Sequence, residues 1–259
     1  MASPTVSIDN AKCVLVIGAT SGIGRALALA IAELPSRPTV IAAGRRQDRL
    51  DELKAKKLET VQIDVAADLT TLKKTVDSLV AQYPDLDAVM FASGIQYQQD
   101  FTKEVDLTQV AREINVNYLA VVSLISMFLP HFLKLSADGR PSFIMPVSSG
   151  LGLMPSNYVP NYSASKAALT SFAISLRKQL AATNVKILEI IPPLVESELH
   201  DEQGTTGHLS NFWMPLDEYT ERTMGGLRKG DTRIASGTAE KVLKRYQDAG
   251  LCDIYPIPV

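Results

Sequence analysis

The chain has little of what marks secreted, metal-binding or nucleic-acid-binding proteins. Its 259 residues include two cysteines, Cys13 and Cys252, which lack the spacing of a zinc site or a disulfide framework. No metal is therefore expected, and a reducing, cytoplasmic location is the simplest interpretation. The formal net charge of −2 gives no strong field for attracting nucleic acid or anionic lipid. Neither is an expected partner.

The sequence also lacks a clear targeting or membrane signal. Its first ten residues, MASPTVSIDN, have neither the basic start nor the apolar run of a secretory signal. Residues 118–133, YLAVVSLISMFLPHFL, contain no Asp, Glu, Lys or Arg. This stretch is shorter than the roughly 20 apolar residues of a membrane span and contains serine, proline and histidine. It is predicted to be a buried core helix, and no membrane partner is expected.

The sequence alternates regularly between short apolar runs and segments with the periodicity of a helix. Strands are predicted at KCVLVIG, PTVIAAG, ETVQIDV, DAVMFASG, PSFIMPVSS and VKILEIIPP, and helical patterns separate them. A long helix is predicted from about Leu107 to Leu135. Apolar strands joined by helices favour a parallel sheet covered on both faces. The predicted fold is a single α/β domain, residues 1–259, with one doubly wound sheet.

One segment, residues 196–232, interrupts this alternation. It is rich in glycine but also contains Phe212, Trp213 and Met214. Long connections in compact domains are often lids or binding loops, and ligands bind beyond the carboxyl ends of the strands in open α/β sheets. We interpret the segment as a substrate lid, with an ordinary surface excursion as the alternative.

A glycine-rich turn lies between the first strand and the first helix. Gly18, Gly22 and Gly24 have the spacing G-x-x-x-G-x-G, which allows a tight turn and a close approach to a pyrophosphate at the helix start. The chain has no G-x-x-x-x-G-K-[ST] and no G-x-S-x-G motif. The turn therefore indicates a dinucleotide rather than a nucleoside triphosphate or a hydrolase nucleophile. Its alternative role is only to pack the helix on the strand.

Two arginines indicate which dinucleotide binds. The second strand ends at Gly44, followed by Arg45 and Arg46. Glycine offers no carboxylate for ribose hydroxyls, whereas two guanidinium groups could hold a 2′-phosphate. NADP(H) is the expected cofactor, although both arginines could instead be solvated charges at a helix start. Asp64 and Val65, after the third strand, could contact the adenine.

The stretch NYSASK carries the candidate chemistry. Tyr162 and Lys166 are neighbours on one helix face. An ammonium beside a phenol is expected to lower the tyrosine pKa, so that the phenol could exchange a proton with a carbonyl or alcohol oxygen. Because Y-x-x-x-K also arises by chance, context matters. Ser148 and Ser149 end the fifth strand at the edge where a substrate would lie, and a hydroxyl there could stabilise developing charge.

In combination, these motifs resemble those of the short-chain dehydrogenase/reductase family. The resemblance covers essentially the whole chain and implies that Tyr162 is the general acid, that Ser149 orients the carbonyl and that Lys166 binds the nicotinamide ribose. It also implies that Asn117, in preference to Asn115, supports a water relay to the lysine. Together, the motifs and the resemblance give a cofactor-binding set of Gly18, Thr20, Ser21, Gly22, Ile23, Gly24, Arg45, Arg46, Asp64, Val65, Ser93, Gly94, Tyr162, Lys166, Pro192, Val195 and Ser197.

The chain departs from the family pattern at three places. The usual N-N-A-G after the fourth strand is replaced by residues 91–94, FASG. Ile17 replaces the threonine before the first glycine, and Pro192-Pro193 replaces the usual P-G after the sixth strand. Val195 and Ser197 still match the positions that face the nicotinamide amide and the phosphates. The reacting residues are thus retained while their surroundings differ.

Together, the motifs and the resemblance imply an NADPH-dependent reductase of a ketone or aldehyde that is able to run in reverse. The lid residues Phe212, Trp213 and Met214 indicate a small, largely apolar substrate. The alternative is an NADP(H)-binding protein without redox turnover: a regulator or interaction module, or an isomerase or cyclase using the same pocket. Family members commonly pair through long helices, so a homodimer or homotetramer is expected, to which the C-terminal IYPIPV could contribute.

Overall fold

A computed structural model of the protein describes residues 6–201 and 203–251. Cys252 and the IYPIPV segment, with the expected interface role of that segment, lie outside these residues. The chain forms a six-stranded sheet in the order β3-β2-β1-β4-β5-β6, and every pairing is parallel. The strands are β1 Cys13–Ile17, β2 Thr39–Gly44, β3 Glu59–Gln62, β4 Leu86–Phe91, β5 Ser142–Pro146 and β6 Val185–Ile187.

The centre of the sheet is buried on both faces because its strands are apolar on both sides, whereas the edge strand β3 is partly exposed. All five residues of β1 are buried. Leu15 and Ile17 belong to one hydrophobic cluster, whereas Val14 and Val16 belong to another on the opposite face. The predicted doubly wound α/β architecture is confirmed. Because β1 pairs with both β2 and β4, the strand order reverses there, and ligands of such sheets bind beyond that point.

Helices cover the two faces. Those of the first half are α1 Gly22–Ala32, α2 Gln47–Ala55, α3 Leu69–Gln82, α4 Leu107–Ile114 and α5 Ala120–Ala137, and those of the second half are α6 Pro160–Gln179, α7 Thr206–Leu209, α8 Leu216–Lys229 and α9 Gly237–Asp248. A π-helical turn, Asn115–Leu119, joins α4 to α5, so the predicted long helix is continuous but widened at its centre. Turns of this kind are frequent at functional sites.

The final part of the sheet differs from the sequence prediction. The stretch VKILEIIPP was predicted to form one strand, but the structure divides it into β6 and β7 Glu189–Ile191. β7 pairs in parallel with β8 Arg233–Ala235, which was not predicted because three residues are too few for a periodic signal. Leu188 N donates to Ile144 O at 3.0 Å, so the divided strand continues beside β5.

The predicted lid also divides into two parts. Residues 216–229 form α8, which packs against α1, and its Tyr219, Met224 and Leu227 are buried in the core. This half is a core helix rather than a loop. The described residues of the first half, from Glu196 to Pro215, form short helical turns and a β-bridge at Met214, and they include Phe212, which is 69% exposed. The lid hypothesis is therefore confined to this first half.

The apolar helix Leu107–Ala137 packs into the core along one of its faces. By length and composition Leu107–Ala137 could cross a membrane. In the structure Leu124, Phe128 and Phe132 are buried against the sheet. This agrees with the prediction of a core helix for residues 118–133. The opposite side carries the exposed leucines Leu119 and Leu133.

Candidate active site

The glycine turn after β1 forms a cradle that side chains would fill. Gly18 has a φ of +93°, and a Cβ there would lie 2.4 Å from the backbone nitrogen of Ser93. Gly22 has a φ of +49°, and its Cβ would lie 3.2 Å from Ser197 Cβ. The turn thus brings together the segments after β1, β4 and β7. Glycine at position 24 allows α1 to pack directly on the turn, because a Cβ there would clash with Gly18 O.

The residues around this cradle fit a dinucleotide. Free N–H groups at the start of α1 favour an anion, and Ser21 at its N-cap makes no side-chain cap bond. Ser93 Oγ is buried without a hydrogen-bond partner among the described residues, so it is available to a ribose hydroxyl. Ile23 packs against the core beneath the turn.

Arg46 lies across the mouth of the same turn. Its guanidinium donates to Thr20 Oγ1 at 3.1 and 3.2 Å and to Ser21 Oγ at 2.5 Å. It also pairs with Glu198 at 2.8 Å. Arg45 is exposed beside it. A Cβ at Gly44 would lie 2.5 Å from Thr20 Cγ2, so Thr20 occupies the space that an acidic side chain would need.

The remaining cofactor candidates lie around this cleft with differing fit. Val65 is buried, whereas Asp64 is exposed and its carboxylate accepts from Ala66 N at 2.9 Å. Pro192 is buried, and its carbonyl accepts from Gly150 N at 2.9 Å. Val195 is buried and bridges to Met214. Whether these residues touch a cofactor remains a prediction.

Asn117 joins three elements at the π-helical turn. It is fully buried. Its Oδ1 accepts from Ile95 N at 2.9 Å, and its Nδ2 donates to Ile95 O at 2.9 Å and to Ser165 Oγ at 3.1 Å. A Cβ at Gly94 would lie 3.4 Å from Asn117 Oδ1 and 3.6 Å from Lys166 Nζ. Asn117, rather than the half-buried Asn115, therefore lies next to the lysine.

Lys166 is a buried cation directed at the end of β5. Its Nζ donates to Val147 O at 2.9 Å and lies 5.6 Å from the centroid of the Tyr162 ring. Burial lowers the pKa of Lys166 to about 8, while the nearby Glu113 carboxylate opposes this change. The amine thus exchanges its proton close to neutral pH.

The pKa of Tyr162 changes in the direction opposite to the one predicted. Burial raises it to about 12; a hydrogen bond with Ser149 opposes the rise, and the charge of Glu113 adds to it. The cost of burying the phenolate therefore has the largest influence on the pKa of Tyr162 in the protein alone. Ser149 also accepts from Leu151 N at 3.1 Å. Hence Asn117, Ser149, Tyr162 and Lys166 converge at the carboxyl edge of β4 and β5.

Sequence reasoning missed a buried ion pair behind Ser149. Glu189, fully buried, accepts from Ser148 Oγ at 2.8 Å and from Thr170 Oγ1 at 2.7 Å. Arg233 on β8 donates to Glu189 at 2.8 Å. These contacts fix the end of β5 against α6 and β8. A glutamate within the apolar run ILEII was the available signal.

A second buried carboxylate was also missed. Glu113 on α4 accepts from Tyr97 N at 2.8 Å and from Asn161 Nδ2 at 2.6 Å, and it lies one helical turn before Asn117. Asn161 is the first residue of the stretch NYSASK. The spacing of Glu113 and Asn117 at i and i+4 could have placed both on one helix face.

Comparison with known proteins agrees with this arrangement. The family model for short chain dehydrogenase matches residues 12–207. The chain is 34% identical over 231 residues to the uncharacterized oxidoreductase DltE of Bacillus subtilis, with 88% of each covered. The protein therefore belongs to the short-chain dehydrogenase family, as the motifs indicated, and is an oxidoreductase by family.

Two solved structures share the whole fold. A short-chain dehydrogenase from Sphingobium yanoikuyae in complex with NADPH has a TM-score of 0.78 at 20% identity, covering 95% of this chain and 97% of that one. A short chain dehydrogenase/reductase from Burkholderia phymatum in complex with NAD has a TM-score of 0.80 at 19% identity, covering 98% and 99%. One neighbour thus holds NADPH and the other NAD. A nicotinamide cofactor is consistent with both, and the fold does not decide which one binds here.

Proposed function

We propose that the protein is an NADPH-dependent reductase of a ketone or aldehyde. The observation that carries this proposal is the convergence of Ser149, Tyr162 and Lys166 beside a dinucleotide cradle that belongs to the same edge of the sheet. When bound, the cofactor supplies a hydride. Ser149 orients the carbonyl oxygen, Tyr162 gives it a proton, and buried Lys166 holds positive charge beside the developing oxyanion.

The state of Tyr162 favours reduction over oxidation. A pKa of about 12 keeps the phenol protonated at neutral pH, which suits a general acid and disfavours a general base. The influence of Ser149 on the pKa of Tyr162 supports the proposal that the two hydroxyls share one carbonyl oxygen. Reverse alcohol oxidation requires the phenolate, so we expect it to be fastest at alkaline pH.

The proposed preference for NADPH rests on the end of β2. Arg46 already lies against the glycine turn, and Thr20 fills the space in which a ribose-binding carboxylate would have to stand. Replacing Arg46 with Ala is expected to weaken NADPH binding about 30-fold, the loss of a charge-assisted hydrogen bond of about 2 kcal/mol. Binding of NADH should change little. Fluorescence titration of both cofactors measures this, with Arg222→Ala on α8 as the exposed control.

An equal loss of NADH and NADPH affinity in Arg46→Ala would contradict the phosphate role. It would mean that Arg46 supports only the glycine turn, through Thr20 and Ser21.

The substrate is proposed to be a small, largely apolar carbonyl compound with one polar group. Trp213 and Met214 lie half-buried in the first half of the lid. Gln99, in the segment after β4, has a buried side-chain amide with no hydrogen-bond partner among the described residues. Buried amides without partners are costly, so a polar atom of the substrate would stabilise it.

Steady oxidation of NADPH with a panel of ketones and aldehydes tests the proposed function. Carbonyl-dependent turnover is the expected result. The alternative, an NADP(H)-binding protein without redox turnover, is favoured by the departures at residues 91–94 and at Pro192-Pro193. It predicts tight NADPH binding without consumption for any carbonyl, and an isomerase or cyclase would convert its substrate while NADPH remains unchanged.

We also propose that the protein is a homodimer or homotetramer. Leu107, Leu119 and Leu133 are 71%, 50% and 38% exposed along α4, the π-helical turn and α5, so this surface is apolar where no described residue covers it. Light scattering should give a mass of two or four chains. Leu119→Lys together with Leu133→Glu should give one chain. A wild-type protein of one-chain mass at micromolar concentration would refute the assembly.

A further inference from the structure

Glu113 and Asn161 form a second link between the helices that carry the active site. Asn117 of the π-helical turn donates to Ser165 of α6 at 3.1 Å. One helical turn earlier on each helix, Asn161 donates to Glu113 at 2.6 Å. Both links also hold the segment after β4, through Ile95 and through Tyr97 respectively. The site is therefore held by two parallel sets of contacts, and only Asn117 among their members was predicted as a site residue.

The Glu113 carboxylate is unusual because it is fully buried without an ion pair within salt-bridge distance among the described residues. Its two neutral donors, Tyr97 N and Asn161 Nδ2, satisfy one oxygen each. A buried charge with only neutral donors is costly unless another charge compensates for it. The cation that fulfils this role is Lys166, whose attraction lowers the pKa of Glu113 while burial raises it.

We propose that Glu113 is a positioning residue for the reaction: its buried carboxylate fixes the start of α6 and keeps Lys166 protonated beside Tyr162. This inference rests on the proposed function for its catalytic meaning, but the contacts and charges exist without it. The titratable and charged groups around Glu113 are Lys166 and Tyr162 on α6, Tyr97 after β4, and Arg112, which contacts the Tyr97 hydroxyl at 3.3 Å.

The sign of the effect follows from these charges. Burial lowers the pKa of Lys166 to about 8, and Glu113 opposes that change. Glu113 also helps to raise the pKa of Tyr162. Removing the carboxylate must therefore lower both pKa values. Because reduction needs both groups protonated, the alkaline loss of activity must move to lower pH.

The test uses Glu113→Gln, which keeps the size of the side chain and removes its charge. NMR of protein with 13C-labelled lysine follows the titration of Lys166, whose signal is assigned by its absence in Lys166→Arg. We expect a wild-type midpoint near pH 8 and a midpoint lower by about half a pH unit or more in Glu113→Gln. The exposed Glu104→Gln is the matched control and should titrate like the wild type. An unchanged midpoint in Glu113→Gln would overturn the proposal.

Turnover adds a separate readout. If the proposed function holds, the alkaline limb of the rate profile must shift in Glu113→Gln by the same amount as the Lys166 midpoint. If no carbonyl is reduced by the wild type, the proposed function fails, while the lysine titration still decides the role of Glu113. A lower rate with an unshifted limb would mark a purely structural role and contradict the inference.

Glu113→Gln could fail to fold because two donors would then face one amide. Asn161 also donates to Val110 O at 3.1 Å, so a carboxylate at position 161 would face that carbonyl. The second variant is therefore Glu113→Gln with Asn161→Ser, whose hydroxyl can accept from the amide introduced at position 113. We expect this double variant to fold and to titrate Lys166 below the wild-type midpoint, because the charge is still removed. A folded double variant that titrates at the wild-type midpoint would also overturn the proposal.

Discussion

Tyr162→Phe is expected to lower the rate of NADPH-dependent carbonyl reduction by about 1,000-fold. The substitution removes only the hydroxyl, and general acid catalysis typically contributes about 100- to 10,000-fold. Because Tyr162 is buried within the α6 packing, phenylalanine retains the ring contact with Lys166, whose Nζ lies 5.6 Å from the ring centroid. Affinity for NADPH should be nearly unchanged, which separates loss of chemistry from loss of binding.

Single-turnover measurements with saturating NADPH check this expectation. Tyr83→Phe is the control, since Tyr83 precedes β4 and lies at the opposite edge of the sheet from Tyr162. Its variant should react at the wild-type rate. A Tyr162→Phe enzyme within about threefold of wild type would mean that another donor protonates the product.

The largest expected effect on stability comes from breaking the buried pair behind Ser149. Arg233 and Glu189 have side chains that are 7% and 0% exposed, with 2.8 Å between them. Arg233→Met leaves the carboxylate buried with hydroxyl donors but without its cation, and breaking such a pair typically costs about 3 to 5 kcal/mol. We therefore expect the free energy of unfolding to fall by about that amount.

Urea unfolding at a fixed protein concentration measures this change. Adding Glu189→Gln to Arg233→Met removes the uncompensated charge while an amide oxygen can still accept from Ser148 and Thr170. This double variant should recover most of the free energy of unfolding that Arg233→Met loses. Arg222→Met, which breaks an exposed pair with Glu218, should cost no more than about 1 kcal/mol. Equal effects of the two arginine substitutions would show that the buried pair carries no special role.

The first five strands and the Tyr162–Lys166 contact could be predicted because each depends on local pattern. Apolar runs mark most of the strands from β1 to β5, although β3 is partly exposed, and a spacing of four defines a helix face. The break at Leu188 could not be predicted, since Lys186 and Glu189 are the only charged residues in VKILEIIPP and neither marks where pairing passes from β5 to β8. β8 itself is three residues long and has no detectable period.

The environment of the reacting groups could not be predicted for a different reason. Whether burial or a neighbouring charge controls the pKa of Tyr162 depends on contacts between distant parts of the chain. Glu113 meets Asn161 across 48 positions, and Glu189 meets Arg233 across 44. No local sequence pattern predicts such long-range contacts. The sequence therefore predicted which groups lie together at the candidate site but reversed the direction in which the protein alone moves the pKa of Tyr162.

Deuterium transfer tests the central claim, that the site reduces a carbonyl carbon by direct hydride delivery. The protein is incubated with NADPH labelled at the reactive C4 position on one face and then on the other, together with a carbonyl compound from the panel. The account predicts an alcohol with one deuterium on the former carbonyl carbon, from one of the two labelled forms only. An alcohol without deuterium from either form, or no alcohol while NADPH remains tightly bound, would contradict it.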